Sequence, residues 1–237
     1  MAEITVISLG GSIIVPKEVD VPFLTDFTSA LREFLGSNPK HKLIIVTGGG
    51  APARMYQQAY RSVQKETSPF QEDLIGIAAT HLNAQLLYSL FEEFCSPVIV
   101  SDPTAKFSFS GQLLIAAGWK PGFSTDNDAV VLAERFGADR VINLSNIPKI
   151  YSADPKMYPS AVPLDHISWK QFREMIGDTW TPGSNLPFDP IAAQRAADIG
   201  LQVITADGRD IDNTLRILKN RSFIGTTVGP EWQDAGR

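Results

Sequence analysis

A strand-like run that ends in three consecutive glycines constrains this chain more than any other stretch. Residues 43–46 (Leu-Ile-Ile-Val) are apolar and β-prone, which predicts a strand buried on both faces. Residues 48–50 are all glycine, so the chain can turn sharply there, and no Cβ separates a ligand from the backbone. Pro52 suits the first turn of a helix. The stretch therefore predicts a buried strand, a tight turn and a helix.

This turn has two interpretations. The first turn of a helix presents unpaired N–H groups and a partial positive charge, which suit an anion such as phosphate. Arg54 lies one turn into the helix and can add a charge-assisted fork to the same anion. The alternative is an ordinary strand-to-helix turn without a ligand. The stretch by itself leaves both open.

Composition excludes several classes of protein. The chain has 237 residues, 43% of them apolar, and its net charge of −5 gives no broad attraction to nucleic acid or to anionic membranes. Cys95 is the only cysteine, which excludes an internal disulfide framework and a multi-cysteine zinc site. Residues 1–6 lack the features of a signal peptide, and no apolar stretch is long enough to span a bilayer. We expect a soluble cytoplasmic protein with neither a nucleic-acid nor a membrane partner.

Strand-like and helix-like segments alternate along the chain. We predict strands at residues 4–9, 43–46, 98–100, 140–144, 202–205 and 224–228, and helices at 22–34, 52–64, 72–87, 125–137, 168–176, 188–199 and 210–218. Residues 101–111 are predicted to be a loop or lid, and 177–187 to be irregular and mobile. This alternation predicts an α/β fold, with a mainly parallel sheet between helices, in a single domain over residues 1–237.

Two more glycine turns follow the same pattern. Gly10 and Gly11 come directly after the first strand, and residues 118–123 form a polar loop before a helix that Ser124 or Thr125 caps. Because ligands of open α/β sheets lie beyond the carboxyl ends of the strands, these turns predict one ligand site along that edge.

Other residues leave a structural and a functional interpretation open. Asp73 stands near the beginning of a predicted helix, where it either caps the helix or accepts hydrogen bonds from a sugar. Phe23, Phe27 and Phe34 recur at helical spacing and are expected in the core. His81 has no other ligand type at metal-binding spacing, so we expect no metal there.

Taken in order, these motifs resemble the amino-acid kinase superfamily and, within it, the archaeal-type uridylate (UMP) kinases. The resemblance covers nearly the whole chain through the motifs at residues 10–12, 48–54, 73–84, 124–126, 146–155, 189–193 and 225–227. It implies a three-layer αβα sandwich in which UMP and MgATP lie end to end across the carboxyl edge of the sheet. It further implies an acceptor-binding half at about residues 1–117, an ATP-binding half at about 118–237, and a homohexamer built from dimers.

The resemblance also implies roles for individual residues. The positions on the ATP side are Ser8, Leu9, Gly10, Gly11, Ser12, Gly50, Arg54, Ser145, Asn146, Tyr151 and Asp154. The positions on the UMP side are Gly49, Asp73, Trp119, Lys120, Pro121, Gly122, Phe123, Ser124 and Thr125. Asp126 and Asp189 match the acidic pair that organises the phosphoryl centre, with Mg²⁺ held through the phosphates and by Asp189. These residue types suit phosphoryl transfer, because that reaction depends on positioning and charge neutralisation.

The sequence departs from the family pattern at cationic positions. Many members carry a lysine where this chain has Ser8, and another branch carries one at the position of Phe188. Lys17 is our preferred replacement and Lys120 the second candidate, while both also fit solvated surface lysines. The leading hypothesis is ATP-dependent phosphorylation of UMP to UDP in pyrimidine nucleotide biosynthesis. The alternatives are a kinase for another small phosphate or acid, and a non-catalytic member that binds or stores a nucleotide or an oxyanion.

Overall fold

A single eight-stranded sheet runs through the described part of the chain. The computed structural model describes residues 3–177 and 186–230. The strands are β1 (Glu3–Leu9), β2 (His41–Thr47), β3 (Cys95–Val100), β4 (Leu113–Ala116), β5 (Arg140–Ser145), β6 (His166–Ser168), β7 (Gln202–Asp207) and β8 (Thr226–Gly229). They are ordered β3-β4-β2-β1-β5-β7-β8-β6, and every adjacent pair is parallel except the antiparallel β7 and β8.

Helices cover both faces of this sheet. They are α1 (Gly11–Ile14), α2 (Val21–Ser37), α3 (Gly50–Val63), α4 (Pro69–Leu90), α5 (Thr125–Phe136), α6 (Trp169–Ile176), α7 (Pro190–Asp198) and α8 (Ile211–Leu218), with a short 3₁₀ turn at Glu92–Phe94. One core cluster joins α2, α4 and α8 to the sheet, and a second joins α5, α6 and α7 to its other face. The predicted three-layer αβα sandwich is confirmed. None of the helices in the described ranges is both long and apolar enough to cross a membrane.

The strands at the centre of the sheet are buried on both faces. Alternate residues of β1 enter opposite clusters, with Val6 in one and Ile7 in the other, and both side chains are fully buried. In β2, Ile44 and Ile45 divide in the same way. This double burial explains why the continuous apolar runs in the sequence predict parallel strands.

Some predicted boundaries were wrong and two strands were missed. α2 continues through Gly36, the predicted stop, to Ser37, and α7 begins at Pro190 because Asp189 caps it from outside. β4 and β6 were not predicted, since both are short and lie between polar loops. Of the segment predicted to be irregular and mobile, residues 178–185 lie outside the described part of the chain.

The first two glycine turns interlock at the carboxyl ends of β1 and β2. A Cβ added to Gly11 would lie 2.1 Å from the Gly50 backbone nitrogen and 2.5 Å from the Gly48 carbonyl carbon. Gly48 N–H donates to the Leu9 carbonyl at 3.0 Å, and Gly50 has a φ of +67°. The turns can approach this closely only because neither side has a side chain.

Substituting Gly11 by alanine is therefore expected to separate the two turns. The added methyl group meets backbone rather than a flexible side chain, so we expect a loss of about 3 kcal/mol or more in the free energy of unfolding. Gly36→Ala is the matched control: a Cβ there meets nothing within 4 Å, and we expect a gain of about 0.5–1 kcal/mol in this helix. Denaturant unfolding measures both. Equal stability of Gly11→Ala and wild type would contradict the interlock.

Candidate active site

Two aspartates from different helices meet next to the end of β1. The Ser8 hydroxyl donates to Asp126 Oδ1 at 2.8 Å, and the backbone N–H of Asp189 donates to Asp126 Oδ2 at 3.3 Å. Ser8 and Asp189 are buried, and Asp126 is partly buried. The two carboxylates that the sequence placed 63 positions apart thus belong to one cluster at the carboxyl edge.

Local sequence explains how the two helices deliver these carboxylates. Ser124 caps α5 by accepting a hydrogen bond from Asn127 N–H at 3.2 Å, so Asp126 stands in the first turn. Asp189 caps α7 through a 2.7 Å bond from Ala192 N–H, with Pro190 next in the chain. A hydrogen bond from the Ser124 side chain also reaches the Asp189 carboxylate. Each helix therefore begins at the rim.

Burial makes the ionised form of this pair costly. It raises the pKa of Asp126 to about 6, with a smaller contribution from the nearby Asp189 charge. Burial also raises the pKa of Asp189. Neither carboxylate forms an ion pair with a lysine or arginine in residues 3–177 and 186–230. A cation brought by a ligand would relieve this strain between like charges.

The two carboxylates fit Mg²⁺ only if other ligands complete its coordination shell. Within the described ranges, no three acidic, histidine or cysteine side chains cluster closely enough to form a complete metal site. Mg²⁺ commonly takes one or two carboxylates and completes its shell with water and phosphate oxygens. Asp126 and Asp189 supply that number, so these residues fit a magnesium ion that arrives with nucleotide phosphates.

The glycine turns lie beside this acidic pair. Gly10 N–H donates to the Leu144 carbonyl of β5, and Asn83 Nδ2 donates to the Gly48 carbonyl at 2.7 Å. α3 begins at Gly50 without a side-chain cap; the Ala51 N–H donates to the Val15 carbonyl at 2.9 Å, and Pro52 has no N–H. The Gly50 N–H is therefore the backbone donor that this helix start can offer to an anion. Arg54, on this first turn, donates to the Pro16 carbonyl at 3.3 Å. Two cations, Arg54 and the exposed Lys17, therefore flank the first two turns.

The third glycine loop is attached to α4 by three hydrogen bonds. Thr80 Oγ1 of α4 accepts from Gly118 N–H at 2.8 Å, and His81 Nε2 donates to the Gly118 carbonyl at 3.0 Å. Asp73 Oδ2, also on α4, accepts from Gly122 N–H at 2.8 Å. Asp73 lies a full turn inside α4, whose N-cap is Ser68, so its interpretation as a helix cap was wrong.

A cation is held at the tip of the same loop. The Lys120 ammonium nitrogen lies 3.7 Å from the Trp119 ring centroid and 4.9 Å from that of Phe123, and the two rings pack edge to face. Such placement over aromatic faces is a favourable cation–π geometry. The loop thus presents an amphipathic surface of two rings and one positive charge.

Polar groups also gather where β5 and β7 end. Ser145 Oγ is buried and has no hydrogen-bond partner within the described residues, and the Ser145 carbonyl accepts from Gly208 N–H. Arg209 forms a bidentate pair with Asp207 at 3.0 Å and approaches the Asn146 carbonyl at 3.5 Å. These groups form one open, polar end of the rim.

The geometry invites comparison with known proteins. A model of the amino acid kinase family matches residues 3–207. The chain belongs to the amino acid kinase family. It is 34% identical over 226 residues to a uridylate kinase of Methanospirillum hungatei, covering 94% of this chain and 93% of that protein. A uridylate kinase of Methanocorpusculum labreanum is 34% identical over 227 residues, with 94% of each covered.

Solved structures of the amino acid kinase family share the fold. The uridylate kinase of Archaeoglobus fulgidus superposes with a TM-score of 0.79 at 31% identity, covering 95% of this chain and 99% of that one. The UMP kinase of Bacillus anthracis gives a TM-score of 0.78 at 17% identity, which bears on the fold alone. The amino-acid kinase fold predicted from the motifs is confirmed.

The structure brings most of the predicted site residues to one rim, with some differences in how they are placed. The Leu9 side chain is fully buried in the core, so only its backbone faces the turn. Tyr151 pairs with Pro163 in an isolated bridge, and Asp154 is exposed on the following turn. Sequence reasoning missed two charged residues here, Asp128 and Arg209, which no motif singled out.

The buried charge of Asp126 predicts a specific pH dependence of stability. Its pKa in the folded state is about 6, above the ordinary value of 3.8, because folding favours the protonated carboxyl group. The contribution of this group to the free energy of unfolding is therefore fully present below about pH 4 and is lost as the pH rises through 6. Asp126→Asn lacks this loss. Its free energy of unfolding relative to wild type should therefore increase by on the order of 2–3 kcal/mol between pH 4 and pH 7.5. Denaturant unfolding without metal or nucleotide measures the difference; a pH-independent difference would contradict the burial argument.

Proposed function

We propose that this chain is a uridylate kinase, which transfers the γ-phosphate of ATP to UMP and forms UDP in pyrimidine nucleotide biosynthesis. The observation that carries the proposal is the acidic pair Asp126 and Asp189 beside two interlocked glycine turns. Its support from outside the site is the similarity to uridylate kinases along more than nine-tenths of the chain. No feature of the described site favours a non-catalytic binder or a kinase for another acid.

In this proposal the rim holds two polyanions end to end. UMP lies over Gly49, Asp73 and the loop from Trp119 to Thr125, with the acceptor phosphate on the first turn of α3. The ATP adenosine lies at the end of β5, near Ser145, Asn146, Tyr151 and Asp154, and its phosphates pass over residues 8–12, Gly50 and Arg54. Backbone N–H groups at the turns and the α3 N-terminus would stabilise charge on the transferring group.

The residues that act on the reacting group are few. An acceptor phosphate is already ionised at neutral pH, so the reaction requires no general base. Asp126 and Asp189 are the residues that would hold Mg²⁺, which when bound neutralises phosphate charge and orients the oxygens. Ser8 fixes the Asp126 carboxylate by its 2.8 Å hydrogen bond, and Lys17 or Lys120 supplies the positive charge that a lysine at position 8 would give.

We also propose that the chain works as a homo-oligomer in the cytoplasm, a hexamer built from dimers. Large apolar side chains lie exposed on α3 and α4: Met55, Tyr56, Val63, Phe70 and Leu82. α3 and α4 pack against each other, so this helix pair offers apolar surface to a protein interface. The single free Cys95, with a pKa that burial raises to about 12, agrees with a reducing compartment.

A coupled assay with MgATP across nucleoside monophosphates tests the function. We expect turnover of UMP well above that of CMP and AMP, as the similarity to uridylate kinases predicts. Tight nucleotide binding without turnover of any monophosphate would contradict the proposal and support the non-catalytic alternative.

Replacing Asp189 by asparagine tests the acidic pair. Asparagine preserves the cap on α7, so we expect the fold and most of the UMP affinity to remain. The kcat should fall by about 10²-fold or more, because charge that organises the phosphoryl centre is lost. Asp198→Asn, at the exposed other end of α7, is the matched control and should retain wild-type rates. Full activity of Asp189→Asn would show that the acidic pair is misassigned.

Replacing Lys17 by alanine tests the substitute cation. If Lys17 neutralises the transferring group, kcat should fall by about tenfold or more while KM for UMP changes little. Lys40→Ala, exposed before β2 at the opposite edge of the sheet, should leave the kinetics unchanged. Unchanged kinetics of Lys17→Ala would transfer the role to Lys120.

A further inference from the structure

Asp128 is a buried carboxylate that the proposed reaction does not use. It is 1% exposed and lies two residues after Asp126 on α5. Its Oδ2 accepts a hydrogen bond from the Trp119 backbone N–H at 3.2 Å, while its Oδ1 has no partner in the part of the chain that the structure describes. Asp126 and Asp102 repel its charge, and Lys120 attracts it.

This arrangement is costly for folding. A buried carboxylate with one unsatisfied oxygen loses its hydration without full compensation, and an apolar side chain of similar volume would avoid that loss. The residues that follow it on α5, Ala129 and Val130, are fully buried apolar core residues. Core packing therefore does not account for an acid at position 128.

The hydrogen bond from Trp119 to Asp128 explains why an acid stands at this buried position. Trp119 begins the exposed part of the third glycine loop, and the next residue in the chain is the cation Lys120. The same first turn of α5 carries Asp126 into the acidic pair and Asp128 onto this loop. One rigid turn thus fixes the distance between the phosphoryl centre and the acceptor loop.

We infer that Asp128 is a positioning residue that holds the loop from Gly118 to Phe123 in its acceptor-binding shape. The inference rests on the proposed function, in which this loop contacts UMP. Asp73 also holds the loop, through the Gly122 N–H. In the proposed function Asp73 contacts UMP as well, so it can exchange its bond to the loop for a bond to the substrate. The Asp128 bond is independent of the substrate and persists when UMP enters.

Steady-state kinetics of three variants at position 128 test this role. Asp128→Val and Asp128→Ala remove the hydrogen-bond acceptor for Trp119, whereas Asp128→Asn keeps a side-chain oxygen that can accept it. We expect the first two to raise KM for UMP by about tenfold, with KM for ATP and kcat within about threefold of wild type. The KM of Asp128→Asn for UMP should stay within about threefold of the wild-type value.

Stability measurements separate positioning from a merely structural role. Because Asp128 is a buried and half-satisfied acid, Asp128→Val should have a Tm equal to or above that of wild type. Asp102→Asn, at a half-buried neighbour whose carboxylate accepts a hydrogen bond from the Thr104 hydroxyl, is the control and should leave KM for UMP unchanged. An Asp128→Val variant with unchanged KM for UMP, or with UMP and ATP affected equally, overturns the inference. An Asp128→Asn variant as impaired as Asp128→Val overturns it too.

A fluorescence measurement that requires no enzymatic turnover tests the role of Asp128 separately from the proposed function. Acrylamide quenching of Trp119 fluorescence, with Trp119→Phe as the background, reports the exposure of the loop in the absence of nucleotide. We expect stronger quenching in Asp128→Val and wild-type quenching in Asp128→Asn. Equal quenching in all three overturns the role of Asp128 even if UMP is a substrate. A wild-type chain that turns over no UMP contradicts the proposed function alone.

Discussion

The close approach of two glycine turns is the constraint on which the rest of the site depends. Gly11 meets the backbone of Gly48 and Gly50 where no side chain fits, and this contact aligns the carboxyl ends of β1 and β2. The Gly10 bond to Leu144 adds the end of β5 to the same edge. One rim therefore brings the ends of three strands and the beginning of α3 together, and glycine lets a polyanionic substrate approach the backbone closely there.

The acidic pair at this rim lacks a neutralising cation from the described part of the chain. Asp126 and Asp189 are held by hydrogen bonds from a hydroxyl and from backbone groups, which orient them without neutralising them. Ser8 contributes a hydroxyl donor and no positive charge to this centre. The described residues therefore fit a centre in which the cation enters with the nucleotide, while Lys17, Arg54 and Lys120 stand at the periphery of the turns.

Much of this could be predicted from the sequence, because the informative signals are local. Apolar runs such as residues 43–46 indicate doubly buried strands, and the glycine turns and the capping positions Ser124 and Asp189 mark where helices begin at the rim. Asp128 could not be predicted, since its burial and its bond to Trp119 appear only when α5 packs on the loop. Likewise, β4 has four residues between polar loops and becomes a strand only by pairing with β2 and β3.

The central expectation for this site is that two nucleotides meet phosphate to phosphate above the interlocked turns. A crystal structure with UMP, a non-hydrolysable ATP analogue and Mg²⁺ tests that claim most directly. We predict the UMP phosphate and the terminal phosphate of the analogue over Gly11 and Gly50, with the Asp126 and Asp189 carboxylates facing them. Nucleotides bound elsewhere, or a rim filled by the side chains of Lys17 and Arg54, would contradict it.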